Sequence, residues 1–97
     1  MKLIKDEDIA LAIQPGWMVG VKMFGRFSTR LHLADVFIDE SDDDPKPLCF
    51  LNDDGWAEPL FILGEDDNFT TDLNPMVYCV YKPNEQGDYI KVWEKRK

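Results

Sequence analysis

Trp17-Met18-Val19-Gly20-Val21-Lys22-Met23-Phe24 alternates Trp17, Val19, Val21 and Met23 with Met18, Gly20, Lys22 and Phe24, the period of two that marks a strand with one face buried. Downstream, Met76-Val77-Tyr78-Cys79-Val80-Tyr81 runs without a polar break until Lys82, which predicts a strand covered on both faces and central in its sheet. These two segments set a β-rich fold, and the rest of the chain is read around them. Leu31–Asp39 predicts another strand, whose apolar phase changes between Leu33 and Val36. A one-residue slip turns every later side chain to the other face, so a bulge is expected near Ala34 and Asp35, with a short helix as the alternative. Leu48–Leu51 and Trp56–Leu63 read as a hairpin joined by Asn52-Asp53-Asp54-Gly55, residues that tolerate positive φ and bond their own backbone. Pro59 lacks the amide that a ladder needs, so this second arm should lie at an edge or pair fully only from Leu60. Tyr89–Trp93 is the last strand, after a turn at Pro83–Asp88, and Glu94–Lys97 forms a short basic tail.

Helical spacing is confined to Asp6–Gln14, where Asp6 suits the cap, Glu7 and Asp8 suit the positive end, and Pro15-Gly16 stops the helix. Ile9, Ala12 and Ile13 would form its buried stripe. The expected fold is α+β, mainly β: a single antiparallel sheet of five to six strands with a short N-terminal helix packed on one face. Val19, Val21, Val77, Cys79, Ile90 and Val92 should form the mutual core. Glu40–Pro47, Gly25–Arg30 and Gly64–Pro75 read as loops.

A chain of 97 residues with 44% hydrophobic and 12% aromatic content has the size and composition of one folded domain, here residues 1–97. Lys5, Asp6, Glu7 and Asp8 interrupt the place of a secretory apolar run, which predicts no export. The longest uncharged stretch, Ile9–Val21, is 13 residues and falls short of the roughly 20 that a membrane helix needs. A cytoplasmic location with no membrane association is expected, with Cys49 and Cys79 as buried thiols. One histidine, His32, read as a solvated strand residue, and the lack of any Cys-x-x-Cys leave no soft-ligand zinc set. The calcium-loop pattern also fails across Asp39–Asp44, which is followed by Pro45-Lys46-Pro47 instead of the spacing that ends in glutamate. Neither a nucleophile elbow nor a phosphate-binding glycine motif is present, so no enzyme activity, cofactor or metal is expected.

The informative feature is where the charge lies. The net charge is −8, yet Asp35–Asp72 alone holds thirteen acidic residues and one basic, Lys46, while the remainder holds six acidic and ten basic. If the strands form a meander, the connections at Asp39–Asp44 and Gly64–Pro75 emerge at one end of the sheet. Side chains on one strand face repeat every ~6.6 Å, near the phosphate spacing of a nucleic acid strand. The expected partner-binding residues are Asp39, Glu40, Asp42, Asp43, Asp44, Glu65, Asp66 and Asp67, with Phe69 as an aromatic anchor. In size and acidity, and in no motif, the chain resembles small immunity proteins and the phage inhibitors of restriction or CRISPR systems.

The expected function is an inhibitor or immunity-type interaction domain that binds a basic, nucleic-acid-acting protein by charge mimicry. Direct nucleic-acid binding is disfavoured by the net charge. The alternative is a structural or accessory subunit that holds a non-basic partner through apolar contacts from Phe24, Phe27, Trp56 or Trp93. Oligomeric state is not legible in the sequence.

Overall fold

A computed structural model describes residues 3–22, 31–40, 48–52, 54–66 and 68–95. Among these, one helix, α1 (Asp6–Ala12), precedes nine strands: β1 (Met18–Val21), β2 (His32–Asp35), β3 (Phe37–Ile38), β4 (Leu48–Leu51), β5 (Ala57–Pro59), β6 (Phe61–Leu63), β7 (Phe69–Leu73), β8 (Val77–Pro83) and β9 (Tyr89–Glu94). The predicted Gly25–Arg30 turn and most of the Glu40–Pro47 loop fall outside the described residues.

The fold is mainly β with antiparallel pairing throughout, but the single sheet expected from the sequence is three sheets. Their orders are β2-β1-β8-β9, β3-β4-β5 and β6-β7. The divisions fall at two single residues. Val36 separates β2 from β3: its amide donates to the Trp17 carbonyl at 2.8 Å, and its own carbonyl accepts from Gly16 N at 2.9 Å, before Phe37 begins pairing with Cys49. Leu60 separates β5 from β6: its amide donates to the Leu48 carbonyl at 2.8 Å, and its carbonyl accepts from Asn74 N at 2.8 Å. Both side chains are fully buried. A flat sheet would expose an apolar face too wide for a seven-residue helix to cover; strands that change sheet at corners wrap that face around a shared interior instead. The phase change foreseen near Ala34 and Asp35 is this corner at Val36, because β2 itself keeps a regular register with β1.

The helix is shorter than expected. Lys5 occupies the cap position without a side-chain cap bond, and Asp6 is already helical, its Oδ1 accepting a 2.9 Å bond from Trp93 Nε1. Ile13 is extended, and Pro15 disfavours helical geometry at Gln14, so the helix stops before it. Ile9 and Ile13 reach the core with Val19, Val21, Phe50, Leu60 and Val80 around them.

Two ladder shifts redraw the expected core. On β8, Gly20 pairs with Cys79 but Val21 pairs with Val77, which leaves Tyr78 as an extra residue. Val80, opposite Val19, therefore points inward, while Cys79 is buried on the opposite face of the sheet and stands outside the main cluster. A second shift, after Val80, places Trp93 opposite Val80 in the interior and leaves Ile90 and Val92 only half-buried. The expected mutual core of six residues thus keeps Val19, Val21 and Val77, has Val92 packed at its margin, and loses Cys79 and Ile90.

Other readings hold. β8 lies between β1 and β9, and β5, which carries Pro59, is an edge strand. The Asn52 turn closes the β4–β5 hairpin, with Gly55 at φ +84°. The region read as a Gly64–Pro75 loop contains a strand, β7, with Leu63 opposite Phe69 and Phe61 opposite Leu73.

Candidate functional site

The acidic part of the chain is built on the two smaller sheets. Ile38 pairs with Leu48, and Leu60 also bonds Leu48, so β6 sets out from the end of the three-stranded sheet at which β3 ends and β4 begins. Asp39 is half-buried directly after β3 and Glu40 beside it is exposed. At the far end of β6, Gly64 N donates to the Asn68 carbonyl at 2.8 Å and closes a turn that exposes Glu65 and Asp66. The Asn68 side-chain amide and then its backbone amide, both 3.2 Å from the Asp66 carboxylate, hold that carboxyl below its ordinary value. Asp42, Asp43, Asp44 and Asp67 lie outside the described residues. Phe69, expected in a polar loop, is instead a strand residue, half-buried in β7 opposite Leu63.

The described basic residues are confined to one part of the fold. From β3 to β7 the described charged residues are Asp39, Glu40, Asp54, Glu58, Glu65, Asp66 and Asp72, all acidic. Every described lysine (Lys5, Lys22, Lys82, Lys91, Lys95) lies beside α1 or on the strands and margins of the four-stranded sheet.

Asn52 organises the tip of the acidic half. Buried itself, it accepts the amides of Asp54 and Trp56 on Oδ1 at 2.9 and 3.0 Å and donates Nδ2 to Glu58 at 3.0 Å. The turn so fixed projects Trp56, 72% exposed, with Leu51 exposed nearby on β4. Of the aromatic contacts foreseen for an apolar interface, Trp93 is excluded by its burial and its bond to Asp6. Phe24 and Phe27 lie outside the described residues.

A further surface was not foreseen. On the outer face of the four-stranded sheet, pairing aligns Leu33, Gly20, Cys79 and Glu94 in one row across β2, β1, β8 and β9. Lys22 N donates to the Met76 carbonyl and Lys95 N to the Tyr78 carbonyl, so the two lysines flank the start of β8 from its two neighbours. Their Nζ atoms stand 4.5 and 4.9 Å from the Tyr78 ring centre. Lys95 Nζ also donates to the Pro75 carbonyl at 3.2 Å, and Lys91 pairs with Glu94 at 3.7 Å. Below them Cys79 Sγ and Tyr81 Oη share a hydrogen bond at 3.5 Å. Hydrogen bonding with Cys79, followed by burial, pushes the Tyr81 phenol up to about 12.

His32 is half-buried in β2 opposite Val21. Among the described residues, no group of three or more His, Cys, Asp or Glu side chains is arranged to hold a metal ion, and no helix is long and apolar enough to cross a membrane. Comparison with protein-family models, curated proteins and solved structures gives no match.

Proposed function

We propose that the chain is a small interaction domain that docks the acidic surface of β3–β7 on a basic protein, in the manner of an inhibitor that occupies a nucleic-acid-binding groove. The observation that carries this reading is the distribution of charge: the described part of β3–β7 carries carboxylates alone, while every described lysine lies beside the four-stranded sheet and helix, among carboxylates of its own. Like charges held on one side of a small domain repel one another and reduce stability, a cost that solubility does not require. A basic groove would offset it, with fast, salt-sensitive association.

The test uses a panel of purified nucleases and DNA-binding domains with basic grooves, each assayed for loss of nucleic-acid binding in the presence of the chain. A true partner should show an association rate that falls steeply between about 0.05 M and 0.5 M salt, as the Debye length shrinks. Replacing Asp42, Asp43 and Asp44 by Asn, with Glu65→Gln and Asp66→Asn, should slow association and abolish inhibition while the fold persists. Equal binding by this variant at both salt concentrations would overturn the reading.

The exposure of Trp56 favours a second reading, an accessory subunit held by apolar contacts. There Trp56→Ala would abolish binding and salt would have little effect.

A further inference from the structure

The outer face of the four-stranded sheet contains a cleft of about 410 Å³, within the usual size range of small-molecule sites, walled by Lys22, Leu31, Tyr78, Lys91 and Lys95 and floored by Cys79. We infer that this cleft binds the phosphate group of a small phosphorylated molecule.

Among the described residues, three ammonium groups line the cleft in a chain whose net charge is −8, and the one carboxylate of that lining, Glu94, faces Lys91. Lys22 and Lys95 stand over the same tyrosine ring, which places their charges within about 10 Å of each other, inside one Debye length at 0.1 M salt. An anion in the cleft, within reach of both ammonium groups, relieves their mutual repulsion. The backbone bonds of Lys22 and Lys95 to opposite edges of β8 fix where the two side chains begin, so the pair is set by the sheet.

The donor chemistry selects phosphate. Ammonium groups act as separate point charges, each with three donors, and suit a compact dianion whose several oxygens face different lysines; a flat carboxylate is better matched by the planar fork of arginine. Tyr78 and Leu31 supply an apolar wall for the organic body of a phosphate ester. Gly20 lets Cys79 and Leu31 pack down over β1, since a Cβ there would meet Cys79 Sγ at 2.5 Å and Leu31 Cδ2 at 3.0 Å. A small anion feels only the charges within a Debye length, whereas a long polyanion would also meet the carboxylates of the acidic half. The inference is independent of the function proposed above, because it concerns the opposite charge on a different sheet.

The experiment is a ¹H–¹⁵N NMR titration of the whole chain with inorganic phosphate, with glucose 6-phosphate and with glucose. Glucose 6-phosphate should give saturable shifts at the amides of Lys22, Tyr78, Cys79 and Lys95 with millimolar or tighter affinity, and glucose should give none. Stronger binding of the ester than of inorganic phosphate assigns the site to phosphorylated metabolites; equal binding assigns it to the phosphate group alone. Lys22→Gln and Lys95→Gln should each weaken binding by about tenfold, with spectra that show an intact fold. Lys82→Gln removes the same charge from a lysine that stands over Trp17 instead and should leave affinity within about twofold. Shifts that are absent, scattered or unsaturated would overturn the inference, as would a Lys82→Gln effect equal to that of Lys22→Gln. Binding of a short single-stranded oligonucleotide at these amides when neither phosphate probe binds would also overturn it and assign the cleft to nucleic acid.

Discussion

Gly20→Ala probes the outer face of the sheet at the point where it is most tightly closed. The added methyl would lie 2.5 Å from Cys79 Sγ, a separation that real side chains do not tolerate, and 3.0 Å from Leu31 Cδ2. Cys79 is itself buried and bonded to Tyr81, so relief requires moving a packed thiol or shifting β1 against β8. Overpacking of this kind costs about 1–3 kcal/mol. The loss of unfolded-state freedom on replacing Gly by Ala returns about 0.4–1 kcal/mol. The variant should therefore be destabilised by about 1.3 kcal/mol at the middle of these ranges and by at most about 2.6 kcal/mol, a fall of several degrees in melting temperature for a domain of this size. Cys79→Ala removes the clashing atom at a cost of about 1 kcal/mol of buried surface. In the double variant the methyl occupies the vacated space, so the two losses should fall short of additivity by about 1 kcal/mol. Urea unfolding followed by the fluorescence of buried Trp17 and Trp93 measures all four corners of the cycle. A Gly20→Ala variant as stable as the parent, or losses additive within about 0.3 kcal/mol, would refute the close approach of Gly20 and Cys79.

Asn52→Ala strips two backbone amides of their acceptor and Glu58 of a donor, and should cost about 1–3 kcal/mol with faster hydrogen exchange at Asp54 and Trp56. Asn52→Asp retains the acceptor and should lose less; equal losses would show that the acceptor is not what holds the turn. The difference in alkaline absorbance between the parent and Tyr81→Phe should reveal a phenol with a midpoint of about 12, and Cys79→Ala should lower it. An unfolded tyrosine titrates near 10, so between about pH 10 and 12 the folded chain keeps a proton that the unfolded chain loses. The contribution of Tyr81 to stability is therefore complete below about pH 10 and declines as pH rises towards 12; a midpoint near 10 in the folded protein would contradict the bond to Cys79.

Features encoded by neighbouring residues were legible in the sequence. Asn52 and Gly55 specify their turn by chemistry that spans a few positions, Pro59 marks an edge because it lacks an amide, and the apolar run of β8 requires cover on both faces. What escaped the sequence reading depends on pairing across long separations. The strand Phe69-Thr70-Thr71-Asp72-Leu73 has two apolar residues in five and sits among acidic and amide residues, so it reads as loop until Phe61 and Leu63 are seen opposite it. The corners at Val36 and Leu60 look like ordinary apolar positions within longer strands, because each continues one ladder while the next residues join another.

The same distinction separates the two charged surfaces. The acidic half is contiguous in the chain and announces itself by counting, although Phe69, expected in one of its loops, belongs to a strand. The lysine cleft is assembled from β1, β8 and β9 and has no local signature. Its geometry follows from the ladder shift at Tyr78: the extra residue lets Val77 and Val80 both face inward and simultaneously returns Cys79 to the outer face beside Gly20. A regular β8 would put Cys79 on the core side with Val77 and Val80 outside, which would replace a fully buried valine by a thiol and leave the valine in the row with Leu33 and Glu94. Completion of the core thus selects the bulge, and the bulge leaves Tyr78 at the start of β8 between Lys22 and Lys95.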